Sequence, residues 1–185
     1  MTMSLVLIFL GVLCRVVPHP PNAVALGAVA LYAGAKLPRR WAWVVPIGAM
    51  ICSDIYLDWG NNIASPIFSV SRFTIYGTYL AIALLGGLTK RQTEKNSLVA
   101  LVPLSLAGSL LFFVTTNFAE WIAGPLKLYP ITAEGLVACY TAAIPFFQNT
   151  VMADLLGVGL LFGLDAFARR VSGARTIKSV ELVDA

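Results

Sequence analysis

Long apolar runs alternate along the chain with short interruptions that are polar, proline-rich or basic. The first run, residues 4–17, is stopped by Pro18, Pro20 and Pro21, because proline lacks the backbone donor and disfavours helix in the residue before it. The second, residues 22–37, is rich in Ala and Gly, with small residues four apart at Ala23/Gly27 and Ala30/Gly34. That spacing puts small side chains on one helical face, where another helix can come close. Lys36, Pro38, Arg39 and Arg40 end it. A third run, 41–57, has Trp41 and Trp43 at its start and Tyr56 and Trp59 at its end, the aromatic flanks that two membrane–water interfaces favour.

A polar loop is expected from Asp58 to Ser71, then a fourth helix over 72–88 ending at Lys90 and Arg91. The fifth run, 97–121, is the longest clean one. A loop with two prolines follows at 124–132, and residues 133–147 predict a short helix that Pro145 and Gln148-Asn149 interrupt. The sixth long helix is expected over 149–167, followed by a polar tail at 169–185. The pattern predicts an all-α polytopic membrane helix bundle with six transmembrane helices and a short extra helix before the last span. Residues 1–168 form one domain in this reading, and 169–185 a cytoplasmic tail.

Composition points the same way. The chain has 185 residues, 58% hydrophobic and 12% charged, about half the charged share of an ordinary soluble domain. Its mean hydropathy is +0.82. The net charge of +4 does not signal nucleic acid, because the basic residues sit in short clusters between apolar runs. Placing the N-terminus inside gives the cytoplasmic side Lys36, Arg39, Arg40, Lys90, Arg91, Lys95, Arg169, Arg170, Arg175 and Lys178. The outer side receives only Arg15, Arg72 and Lys127. This asymmetry predicts N-in/C-in topology in the cytoplasmic (inner) membrane of a bacterium, with the lipid bilayer as surroundings. A cleaved signal peptide is not expected, since no Lys or Arg precedes the first apolar run. Cys14, Cys52 and Cys139 lie in apolar surroundings and read as buried small hydrophobes.

That topology gathers the unusual polar residues at the outer ends of the spans. Arg15 and His19 end the first, and Asn22 begins the second. Asp54 and Asp58, four apart, share a face of the third; Arg72, Tyr76 and Tyr79 share one of the fourth. Asn117 and Glu120 share a face of the fifth, and Asn149, Thr150 and Asp154 begin the sixth. Asp165 is the main exception near the inner side. An ionised side chain at membrane depth costs roughly 2.5–3.5 kcal/mol, so it faces the protein interior and has a partner. The candidate substrate-binding residues are Arg15, His19, Asn22, Asp54, Arg72, Tyr76, Asn117, Glu120, Asn149 and Asp154. Arginines would meet a ligand carboxylate or phosphate, and Tyr76 and Trp121 would stack on a ring.

Duller readings stand beside these. Snorkelling accounts equally for Arg15, Asp58, Arg72 and Glu120. Capping the start of the sixth helix accounts equally for Asn149 and Asp154. His19 reads as a structural hydrogen bond between prolines, and a lone His does not predict a metal site. No phosphate loop, Gly-x-Ser-x-Gly, His-Glu-x-x-His or Cys-x-x-Cys occurs, so neither an enzyme nor a cofactor is expected.

Several stretches together carry a resemblance. They are Arg15-x-x-Pro18-His19-Pro20-Pro21-Asn22, Ser53-Asp54, Thr116-Asn117-Phe118, and Cys139-Tyr140 through Ile144-Pro145-Phe146-Phe147-x-Asn149-Thr150 to Asp154. They resemble a family of bacterial multi-span proteins of unknown function, which is similar to the S components of energy-coupling-factor vitamin transporters. The resemblance implies a small six-span protein that binds a vitamin- or cofactor-like solute near the outer face and delivers it inward, with an ATP-driven energy-coupling module as partner. S components often carry an Ala-x-x-x-Ala docking face on their first helix. Here the first run has only Gly11 as a small aliphatic residue, and the small faces lie on the second. Resemblance to a cobalamin-specific member would give the thiolate of Cys52 or Cys139 a place as cobalt ligand. The alternative function is a non-transporting scaffold or assembly subunit whose polar groups are structural pairs.

Overall fold

The computed structural model describes residues 2–61, 69–91, 94–124 and 126–181. Among these the chain is all-helical, with six α-helices and one short 3-10 turn. Helix α1 is Thr2–Val16, α2 is Leu26–Lys36, α3 is Arg39–Asn61 and α4 is Val70–Gly87. The 3-10 turn Leu88–Arg91 follows, then α5 at Glu94–Ala123 and α6 at Ala133–Glu181. Half of the loop expected at 58–71, residues 62–68, falls outside the described residues; of the rest, 58–61 continue α3 and 70–71 begin α4, so the helices run further into it than expected.

The centre is α2. Every residue from Leu26 to Ala35 is buried, as befits a helix that is apolar all round. Helices α1, α3, α4, α5 and α6 all pack against it. Its closest neighbour is α4, and glycine makes that possible. A Cβ at Gly34 would stand 1.8 Å from the Ala83 carbonyl oxygen, and one at Gly86 2.1 Å from that of Leu31. The two backbones are in contact, so neither position admits a side chain. The small face expected on the second run is therefore turned inward.

Both ends of α2 are fixed. At its C-terminus Leu37 is extended and donates its N–H to Ala33 O, and Pro38 follows. The Lys90 ammonium donates to Leu37 O. Lys36 Nζ stands 3.5 Å from Asp165 on α6 and 5.7 Å from the centre of the Phe162 ring. Arg169, one turn beyond Asp165, donates to the same carboxylate at 2.6 Å. Asp165 is thus the partner of two cations, Lys36 and Arg169.

Helix limits differ most from the expected ones in three places. The second helix begins at Leu26 rather than at residue 22, because Asn22 has φ of 60°, in the left-handed region, and Ala23 N–H bonds back to Pro20 O. The short helix at 133–147 and the last span are one helix of 49 residues, about 73 Å long. Its N-terminus is capped by Thr132, whose hydroxyl accepts from Gly135 N–H at 3.1 Å. Pro145 and Asn149 lie within it without ending it. The third difference is at the tail, which is helical as far as Glu181.

The surface is unusually greasy. Leu156, Leu160, Leu164 and Phe167 are exposed along α6, and Leu106, Leu110, Val114 and Phe118 along α5. Among the described residues two helical stretches are long and apolar enough to cross a membrane, Val99–Ala123 and Ala133–Ser172; Thr2–Val16 is a shorter apolar helix.

Candidate functional site

Three helices meet in an ionic network. Asp54 and Asp58 point from one face of α3, as their spacing requires. Arg15, at the end of α1, donates from Nη1 to Asp54 Oδ1 at 2.6 Å, to the Ser53 hydroxyl and to Met50 O at 3.4 Å. Tyr76 on α4 donates its hydroxyl to Asp54 Oδ2 at 2.7 Å. Arg72 forks onto Asp58 at 2.9 and 3.2 Å, with Nε 3.7 Å from Asp54. Ser69 sets this geometry by capping α4: its hydroxyl accepts from Arg72 N–H at 3.1 Å. Asp54 is 7% exposed. Two guanidinium groups and two carboxylates balance, so the network carries no net charge, and every carboxylate oxygen in it has a donor.

A second set of polar contacts joins α6 to the stretch before α2. Asp154 is 3% exposed. It accepts from Ala28 N–H at 3.1 Å and from the Ser109 hydroxyl of α5 at 2.8 Å. No local side chain caps α2, so a carboxylate from another helix does this, satisfying a free donor and complementing the helix dipole. Gly27 admits it: a Cβ there would lie 2.5 Å from both Asp154 oxygens. Asn149 donates to Pro21 O at 2.9 Å, and Thr150 to Asn22 O at 3.2 Å. The proline-rich stretch and the Asn149–Asp154 stretch therefore form one unit, with α6 holding the turn that leads into α2. Asn149 and Asp154 were expected at the start of a helix. They lie well inside α6, and what they hold is another part of the chain.

Beside these two sets lies a cavity of about 260 Å³. Arg15, His19, Asn22, Val24, Met50, Leu57, Ile75, Tyr79, Phe112 and Thr150 line it. Three of the expected site residues border it: Arg15, His19 and Asn22. Asp54, Arg72 and Tyr76 instead belong to the network that holds Arg15, and Asn149 and Asp154 to the support of the turn and of α2. Asn117 and Glu120 lie apart, toward the C-terminal end of α5. There Asn117 Nδ2 donates to Phe113 O of its own helix, and the Cys139 thiol approaches Asn117 O at 3.5 Å. Tyr140 donates to Val114 O, and Trp121 Nε1 to Pro130 O, so these contacts bind the start of α6 to the end of α5. Neither Cys52, exposed on α3, nor buried Cys139 borders the cavity.

Sequence reasoning left Tyr79, Thr150 and Phe112 out of the site. Two of them carried a signal. Tyr79 shares a face with Arg72 and Tyr76, and Thr150 is four residues from Asp154. Phe112 carried none; its ring packs on Tyr79 with centroids 5.3 Å apart.

Two of the residues that line the cavity keep donors without a partner among the described residues. Arg15 uses only Nη1, leaving Nε and Nη2 without a partner among the described residues. Tyr79 is 7% exposed, and its hydroxyl meets no hydrogen-bond partner among the described residues. His19 Nδ1 stands 2.8 Å from Pro20 O; a carbonyl only accepts, so Nδ1 carries a proton.

The sequence matches the family of unknown function DUF6580 over residues 1–176, and the chain belongs to that family. No curated protein matches it. No solved structure matches it.

Proposed function

We propose that the chain is a multi-pass protein of the cytoplasmic membrane that binds a small solute in the cavity beside Arg15 and Tyr79 and serves its uptake. Six helices cross in this reading, with both termini inside. The carrying observation is a cavity bordered by Arg15 and Tyr79, whose Nε and Nη2 and whose hydroxyl have no partner among the described residues. A bound solute would supply that partner.

The course of the chain supports the reading. Helix α2 has 11 residues, about 16 Å, against a hydrocarbon core of about 30 Å. The non-helical residues before it would then lie at membrane depth. Such backbone is stable there only where protein buries it or where it lines a cavity. Here α6 takes up the carbonyls of Pro21 and Asn22, and His19, Asn22 and Val24 border the cavity.

Likeness to an energy-coupling-factor S component remains part of the proposal, and so does an ATP-driven module. Such a module would need a docking face other than the Gly27/Gly34 side of α2, which is buried against α6 and α4. The scaffold reading draws on a specific observation too: Asp54, Arg72, Tyr76, Asn149 and Asp154 all find partners within the chain.

The deciding experiment is mass spectrometry of small molecules extracted from the purified full chain and from Ile75→Trp, which fills the cavity. A recurrent compound near one per chain, lost in the variant, is the expected result. Its absence from both proteins would favour the scaffold.

A further inference from the structure

We infer that the cavity selects an uncharged ring compound bearing a carbonyl, whose oxygen accepts from the free edge of Arg15 and from the Tyr79 hydroxyl while its ring lies along Phe112. The inference rests on the solute-binding reading above and adds the chemistry of the solute.

Size is the first argument. At about 260 Å³ the cavity falls below the roughly 300–1,000 Å³ of sites for drug-sized ligands, so it suits a single ring with a small substituent. Its apolar wall is Met50, Leu57, Ile75 and Phe112, with Phe112 and Tyr79 already packed ring to ring. A planar ring continues that stack.

Donor count is the second. Arg15 Nε and Nη2, on a half-buried side chain, and the Tyr79 hydroxyl have no partner among the described residues, and all three can donate to a ligand oxygen. An aliphatic or purely aromatic occupant would leave them unsatisfied.

Charge is the third, and it separates a carbonyl from a carboxylate. Arg15 is already neutralised by Asp54, within a network of two cations and two anions. The N-terminus of α2, the other feature that would draw an anion, is already taken by Asp154. Tyr79 lies within electrostatic reach of both Arg15 and Asp154. An anion placed there would find no uncompensated positive charge and would meet Asp154; burying a charge without a counter-charge is strongly unfavourable. A neutral carbonyl gains the donors without that cost.

Benzamide and benzoate form a matched probe pair, equal in shape and differing in charge. Both are titrated by saturation-transfer NMR at neutral pH into the full chain in detergent, and into Tyr79→Phe and Ile75→Trp. Benzamide is expected to bind the wild type, to lose its signal in Ile75→Trp, and to bind Tyr79→Phe about five- to tenfold more weakly. Benzoate is expected to bind the wild type at least about tenfold more weakly than benzamide. Tyr79→Phe removes a hydroxyl that no protein group uses, so its thermal midpoint should match the wild type. Benzoate binding as well as benzamide, or Tyr79→Phe binding benzamide as the wild type does, would overturn the inference and leave the solute-binding reading standing. Neither probe binding would overturn the inference as well; the retained-molecule experiment then decides the solute-binding reading separately.

Discussion

Asp154 does its work at the scale of one side chain. Its carboxylate satisfies Ala28 N–H and the Ser109 hydroxyl in a site 3% exposed to solvent. Asp154→Ala leaves Ala28 N–H buried and unmet, takes from the Ser109 hydroxyl the shorter of its two acceptors, and removes the cap of α2. The expected loss is about 2–4 kcal/mol, read as a lower thermal midpoint in detergent. Gly27→Ala should reach a similar result by another route, since its Cβ would occupy the place of the Asp154 oxygens. Arg15→Ala should cost about 1.5–3 kcal/mol by removing the shortest charged partner of Asp54, which keeps Tyr76 and Arg72, and the double variant Arg15→Ala/Asp54→Ala should recover part of that loss. Double-mutant-cycle analysis of the midpoints measures the recovery; purely additive losses would mean that the two side chains are not coupled. These residues stood out in the sequence as charges among apolar neighbours. Their roles did not, because Asp154 acts on Ala28 across 126 positions of chain. Tyr79 stood on the same face as Arg72 and Tyr76, but only the cavity distinguishes it from Tyr76, three positions earlier, whose hydroxyl is bonded to Asp54.

Elements were legible wherever local chemistry decides them. Helices α1, α3, α4 and α5 fall within a few residues of the apolar runs that predict them. Proline ends α1, and the basic stretch from Lys36 to Arg40 separates α2 from α3. The misreadings occur where long-range contacts override local signals. Pro145 and Gln148-Asn149 look like a break. In the structure the Asn149 amide reaches Pro21 O instead of competing with its own helix, and Pro145 is accommodated within α6. The start of α2 depends on the Asn22 backbone and on the distant Asp154, neither of which periodicity reveals. Contact between α2 and α4 gives the prediction at this scale. Gly34→Val should prevent the two backbones from meeting, with a cost above about 4 kcal/mol. Loss of monodisperse protein on size exclusion is the expected outcome, and a wild-type profile would contradict the packing.

For the whole molecule, the proposed topology puts the basic clusters on one side of the membrane and the cavity toward the other. Alkaline phosphatase fused after Lys127 should be active, and fused after Lys178 inactive; the reverse pattern would contradict N-in/C-in. Composition and charge asymmetry carried this reading from the sequence. What they could not carry is the division of the polar residues into those that bind one another and those left free. The central claim is that the free ones hold a solute. Native mass spectrometry of the intact chain released from detergent tests it most directly. The account predicts one discrete added mass on the wild type, reduced at least about tenfold in Ile75→Trp, which fills the site. A wild-type spectrum at the bare mass of the chain, identical to that of the variant, would contradict it.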